Sequence, residues 1–241
     1  MAKLHMVLQG KGGVGKSFVA AMIAQYTMHK GITPLCIDTD PLNATLHGYK
    51  NLNVKKLEIL EGDVINSRHF DTMIEMIAAS ESDIVVDNGS NSFVPLSHYL
   101  ITNDVPKLIG DFGHELIIHT VVTGGQALAD TLGGFGHLVE QYPSEATFVV
   151  WLNPYWGPIE LDGKGFEQMK VYINNKLRVS AIVKIPLLKE ETFGRDLSEM
   201  LQAKKTFEEA IAVETNTIMM RQRLKIIQKQ IFDQMSAAAV L

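Results

Sequence analysis

The residues best equipped for chemistry lie near the start, in Gly10-Lys11-Gly12-Gly13-Val14-Gly15-Lys16-Ser17. Glycines at this spacing let successive backbone N–H groups curl around a polyphosphate, because side chains there would block its approach. Lys16 is placed to reach the β and γ phosphates, and Ser17 to offer its hydroxyl to Mg²⁺. The run from Gly10 to Ser17, with Phe18 behind it, is expected to touch the bound anion.

Carboxylates follow at two more places. Asp87 ends the apolar run Ile84-Val85-Val86. A hard cation between phosphates takes oxygen ligands, so Asp87 is expected to serve Mg²⁺ with Ser17. Asp38-Thr39-Asp40-Pro41 closes another apolar run. Asp40 is expected to order an attacking water or to hold waters of the Mg²⁺ shell, since phosphoryl transfer depends on positioning more than on covalent chemistry.

Strands and helices must bring these groups together. Lys3 to Gln9 is a short apolar run that predicts a strand. From Lys16 to Lys30, Val19, Met22, Ile23 and Tyr26 recur at helical spacing. A strand, a glycine loop and a helix form the context that this loop requires. Further strands are expected over Ile32 to Asp38, Asp83 to Asp87, Glu115 to Val122, Ala146 to Leu152 and Val179 to Leu188. Helices are expected over Phe70 to Ala79, over Gln126 to Val139 with interruptions at Gly133, Gly134 and Gly136, and over Phe166 to Leu177. From Phe193 onward the chain reads as mostly helical. This alternation predicts a single α/β domain over residues 1–241. Its mostly parallel sheet would be covered by helices on both faces, with a C-terminal helical segment from about residue 205. Ligands bind at the carboxyl ends of such strands, where the glycine loop, Asp38, Asp40, Asp87, Asn153, Pro154 and Pro186 all fall.

Taken together, Lys-Gly-Gly-Val-Gly-Lys-Ser, Asp38-x-Asp40-Pro41 and the aspartate ending an apolar strand resemble the deviant Walker A ATPases. That family includes the partition and septum-positioning ATPases. The resemblance spans roughly residues 3 to 90 and continues at Asn153-Pro154 and Ile185-Pro186. It implies a phosphate-loop NTPase that binds and hydrolyses ATP with Mg²⁺, slowly without a partner. It implies that Asn153, Pro154 and Pro186 frame the adenine. Lys16 would bind phosphates in its own subunit, and Lys11 would cross an interface to the ATP of a second copy, giving an ATP-dependent homodimer. Ser17, Asp40 and Asp87 would attend the metal, and Lys11, Lys16 and Asp40 the chemistry. Two segments depart from the pattern: Asn88-Gly89-Ser90, where the family often has proline, and Leu42-Asn43, where many members have glutamine. The segment from Trp151 to Gly157, with the overall length, resembles a conjugal-transfer family of broad-host-range plasmids. This implies a protein partner in conjugation machinery or in partition.

Composition narrows the alternatives. The net charge of −5 argues against a protein built to coat nucleic acid, and no membrane surface is indicated. Cys36, the one cysteine, sits in an apolar run and cannot form an internal disulfide, which fits a reducing, cytoplasmic setting. No export signal or bilayer-spanning run is expected. His114 and His119, five apart, would face opposite sides of a strand and so would not share a metal. Met220, Leu224, Ile227, Ile231 and Met235 form a helical stripe flanked by Arg221, Arg223, Lys225 and Lys229. Docking on the chain's own domain or on a partner is the expected use, and an anionic membrane the alternative. Trp151 and Trp156 either pack near adenine or fill core. Two other functions use the same loop: a small-molecule phosphotransferase, and an interaction module that binds nucleotide without hydrolysing it.

Overall fold

The computed structural model describes residues 1–241. Seven strands form one sheet: β1 (Lys3–Val7), β2 (Leu35–Asp38), β3 (Lys55–Lys56), β4 (Ile84–Asp87), β5 (Glu115–Thr123), β6 (Thr147–Asn153) and β7 (Val179–Lys184). Their spatial order is β7-β6-β5-β1-β4-β2-β3, and every pairing is parallel. From β1 the chain first builds outward through β2 and β3. It then inserts β4 beside β1 and builds in the other direction through β5, β6 and β7. The strand order therefore reverses about β1, and the carboxyl end of a strand at such a reversal opens a crevice for ligands.

Side chains alternate across the sheet, so each strand feeds two cores. Leu4, Met6, Val86, Ile118 and Val150 face α2 (Phe70–Ala78), α3 (Phe93–Thr102), α4 (Val105–Asp111) and α5 (Leu128–Gln141). Val7, Val85, Ile117, Val149 and Trp151 face α1 (Lys16–His29) and the C-terminal helices. Helix α1 is buried continuously from Val19 to Thr27. Only a helix sandwiched between layers is apolar nearly all round. Its outer cover is the last helix, α9 after α6 (Lys170–Asn175), α7 (Arg195–Gln202) and α8 (Phe207–Ala212). Helix α9 (Ile218–Ala237) buries Leu224, Ile227, Ile231, Phe232 and Met235 in the same core, with Phe232 5.3 Å from Tyr26. The apolar stripe is thus spent on the chain itself. Two of the flanking cations are paired within the chain, Arg223 with Asp196 and Lys229 with Asp233. No helix is long and apolar enough to cross a membrane.

Several expected elements are corrected. Helix α5 runs unbroken through its glycines. A Cβ on Gly134 would collide with the Gln9 side chain, whose amide bridges the carbonyls of Val121 and Thr131. That glycine permits a close approach, and does not break the helix. The segment from Phe166 to Leu177 is helical only in pieces, with α6 at its centre. Strand β7 stops at Lys184, short of Pro186, which has no N–H for a ladder. Helices α3 and α4 lie where no element was expected. His114 sits just outside β5, and no cluster of His, Cys, Asp or Glu is able to hold a metal by itself.

Beneath the glycine loop lies a buried polar chain in the α1-side core. Trp151 Nε1 donates to His119 Nδ1 at 3.0 Å, and His119 Nε2 lies 3.0 Å from His5 Nδ1. An indole only donates, so His119 Nδ1 must be the acceptor. His119 Nε2 then carries the proton and donates to His5. Burial holds the His5 imidazole down to about 3 and His119 well below its ordinary value, so both rings are neutral.

Candidate phosphate and cation site

The glycine loop connects β1 to α1 in the conformation an anion cradle needs. Gly13 and Gly15 have φ of 74° and 103°, which favours residues without a Cβ. Helix α1 starts at Lys16 with no side-chain cap and no acidic residue in its first turn. Its first N–H groups therefore have no protein partner competing for them, and the positive end of its dipole faces the loop. Lys16 folds back over the loop, with Nζ donating to the Lys11 carbonyl at 2.9 Å. The side chain is buried, which lowers the ammonium pKa, and Asp87 and Asp40 oppose that shift.

Facing Lys16 is an excess of negative charge. Asp38 and Asp87 are fully buried at the ends of adjacent strands, registered opposite each other. Asp38 is satisfied: it accepts N–H bonds from Asp40 at 3.0 Å and His47 at 2.9 Å. Burial still raises its pKa. Asp87 is not satisfied, and neither carboxylate oxygen has a hydrogen-bond partner. Burial pushes it up to about 7. The Ser17 hydroxyl, which faces it outside hydrogen-bonding geometry, and the Lys16 ammonium pull it back, while Asp38 and Asp40 push it further up. A buried carboxylate with no partner is costly in an ordinary core. Here it lies next to a hydroxyl, a lysine and an anion cradle. This oxygen donor set fits Mg²⁺, which binds through one or two protein oxygens and keeps phosphate and water for the remaining positions.

The loops after β2 and β4 are interlocked. The Thr39 hydroxyl lies 3.0 Å from Asn88 Oδ1, and the Ser92 hydroxyl lies 2.7 Å from the same atom. Asp40 Oδ1 accepts the N–H groups of Leu42 and Asn43. The rest of its side chain packs on Gly89, where a Cβ would lie 2.5 Å from Asp40 Cγ. Asn88 therefore ties the loops after β2 and β4 together, and Gly89 leaves the room that the Asp40 side chain occupies. A Cβ on Gly12 would lie 3.4 Å from the Ser90 hydroxyl, so the β4 loop also abuts the cradle.

On the other side stands the segment after β6. Asn153 Nδ2 donates to the Val14 carbonyl at 2.9 Å, and Trp156 Nε1 donates to the Gly13 carbonyl at 3.2 Å. Pro154 opens the short turn between them. The two tryptophans therefore part ways, Trp151 in the core and Trp156 against the loop and more than half exposed. Phe18 packs partly buried against the α1-side core, and Pro186 lies two residues past β7. Lys11 turns outward to pair with Asp130 of α5 at 2.8 Å, both side chains being exposed. Beside that pair a cleft of about 950 Å³ opens between α3 and α5, with Val94, His98 and His137 in its walls. The Lys11–Asp130 pair and the Trp156 contact join residues more than a hundred positions apart and carry no sequence signal.

Comparison with known proteins agrees with this geometry. A family model described as the CobQ/CobB/MinD/ParA nucleotide binding domain matches residues 5–225. Two Escherichia coli proteins, each named Protein TraL, are 67% and 66% identical over 241 residues, covering 100% of this chain and 100% of theirs. Among solved structures, the MinC:MinD cell division protein complex of Aquifex aeolicus aligns with a TM-score of 0.59 at 16% identity, covering 99% of this chain and 96% of that one. The MinD cell division protein of Aquifex aeolicus aligns at 0.52, also with 16% identity, covering 96% and 97%. At such identity the structural likeness concerns the fold.

Proposed function

The chain belongs to the CobQ/CobB/MinD/ParA nucleotide-binding domain family, and from that premise we propose that it is an Mg²⁺-dependent ATPase acting as a dimerisation switch. Lys16 and the amides from Gly10 to Phe18 bind the phosphates. Ser17 and Asp87 hold the cation, which when bound neutralises charge on the β and γ phosphates. Asp40 orders the attacking water, and Asn153, Pro154 and Pro186 border the adenine. Lys11, outward-facing and exposed, exchanges Asp130 for the phosphates of a second subunit. Loss of the γ-phosphate then loosens the pair and releases a bound partner. An exposed Lys–Asp pair is worth at most about 1 kcal/mol, so this exchange costs little.

The carrying observation is the partnerless Asp87 carboxylate, buried opposite Ser17 under an uncapped helix N-terminus. A role in recruiting or positioning a partner during plasmid conjugal transfer is supported by the full-length identity to the TraL proteins and by the Trp151–Gly157 segment.

The test is light scattering on a sizing column with Mg²⁺ and ADP, ATP or a non-hydrolysable analogue. The switch predicts a dimer with the analogue and a monomer with ADP. Steady ATP turnover onto a small-molecule acceptor with no change in mass would favour a phosphotransferase. Binding without phosphate release, with or without partners, would favour a passive nucleotide-binding module.

A further inference from the structure

Trp156 is 57% exposed, yet its indole N–H is committed to the Gly13 carbonyl in the middle of the glycine loop. In a trans peptide the carbonyl of one residue and the N–H of the next lie in one plane and point in opposite directions. Holding the Gly13 carbonyl toward Trp156 therefore turns the Val14 N–H to the opposite side. Asn153 acts the same way one peptide further on, holding the Val14 carbonyl and turning the Gly15 N–H. Two consecutive amides of a glycine-rich loop, the part of the chain freest to rotate, are thus aimed from outside.

The brace is itself rigid. Asn153 Oδ1 accepts the Tyr155 N–H at 3.2 Å, and the Gly157 N–H bonds the Pro154 carbonyl at 3.0 Å. Gly124 and Gly125 let the β5 end approach this turn so closely that a Cβ on Gly125 would lie 2.5 Å from the Trp156 carbonyl oxygen. The Tyr155 ring meets the indole edge-on, with centroids 4.9 Å apart.

We propose that Trp156 is a positioning residue for phosphate recognition: its N–H fixes the Gly13–Val14 peptide so that the Val14 amide is pre-aimed at the anion. The proposal rests on the nucleotide-binding reading and deepens it, since it assigns the indole to the phosphates and not to the base. Preorganised donors bind more tightly because the loop does not lose freedom at the moment of binding.

The experiment compares wild type with W156F, which keeps an aromatic ring and removes only the donor. Calorimetry would measure the affinity of each for Mg²⁺–ADP and for Mg²⁺ with inorganic tripolyphosphate, which has no base. W156F should weaken both by the same factor, roughly three- to ten-fold, as expected for one neutral hydrogen bond. Its thermal midpoint should match wild type, because the ring is exposed. Weakening confined to ADP, with tripolyphosphate unaffected, would make Trp156 a base-stacking residue and overturn the proposal. Unchanged affinity for both ligands would also overturn it. If wild type itself bound neither, the nucleotide-binding reading would fail first.

Discussion

Replacing Asp87 by asparagine should stabilise the nucleotide-free protein while abolishing its response to magnesium nucleotide. The carboxyl is 1% exposed, has no hydrogen-bond partner, and has its pKa pushed from 3.8 up to about 7 by burial. That rise means ionisation is about 4 kcal/mol harder in the folded protein than in the unfolded chain, at about 1.4 kcal/mol per pH unit. The sign is the reverse of a salt-bridged aspartate. The penalty is fully present above about pH 7, shrinks as the pH falls, and is gone below about pH 4. Asparagine keeps the shape without the charge, but its amide needs a partner and costs about 1–3 kcal/mol if it finds none. The net gain at pH 8 is therefore about 1–4 kcal/mol, or several degrees in thermal midpoint for a chain this long. Unfolding followed by circular dichroism at pH 8 and pH 4.5 would show D87N ahead of wild type at pH 8, with the gap narrowing by about 2–3 kcal/mol at pH 4.5. With Mg²⁺–ADP wild type should gain on D87N by the linkage term, about 2.7 kcal/mol at a hundred-fold excess over Kd, which D87N lacks. A D87N stability difference that is the same at both pH values would refute the reasoning.

K16A should lose nucleotide binding, whereas K11A should bind normally but hydrolyse or dimerise poorly, as titration and light scattering would show. D130N, which frees Lys11 from an exposed pair, should favour the ATP-bound dimer by no more than about five-fold per subunit, since such pairs are worth at most about 1 kcal/mol each. G89A should displace Asp40, because the new Cβ would lie 2.5 Å from its Cγ. Phosphate release should then fall at least ten-fold, a barrier rise of about 1.4 kcal/mol, with ADP affinity retained. Acid should destabilise the protein through His5 and His119. Their folded pKa values are depressed, so the unfolded chain takes protons near pH 6.5 that the folded one refuses, and stability present above that pH is lost below it. Asp87 offsets one of the two protons between about pH 4 and 7, and the raised Asp38 carboxyl offsets part of the other at the acid end. Urea midpoints in the D87N background should therefore fall steeply from pH 7 to 5, and a flat profile would contradict the assignment.

What could be read from the sequence was local. The glycine loop, the strand–helix context around it and the aspartates at Asp38, Asp40 and Asp87 follow from residue type at short spacing, and the structure brings them to one end of the sheet. The apolar stripe of α9 was likewise visible, and its partner is the buried helix α1. Helices α3 and α4, for which the sequence raised no expectation, carry Pro95 and Pro106 in their first turns, where proline costs no hydrogen bond. Asp104, in left-handed conformation at φ 51°, separates the two helices. The glycines of α5 read as interruptions, and the close approach that explains Gly134 comes from Gln9, more than a hundred residues away. The same distance concealed the His5–His119–Trp151 chain and the Trp156 brace. Burial and pairing between remote strands decide such contacts, and periodicity does not record them.

The central claim is that the loop from Gly10 to Ser17, with Lys16 and Asp87, grips a magnesium–adenosine nucleotide. Calorimetric titration of folded wild-type protein and K16A with Mg²⁺–ADP and Mg²⁺–ATP tests it most directly. The predicted result is one saturable site per chain that disappears in K16A and weakens when Mg²⁺ is chelated. No heat of binding in wild type at millimolar nucleotide, or identical isotherms for wild type and K16A, would contradict it.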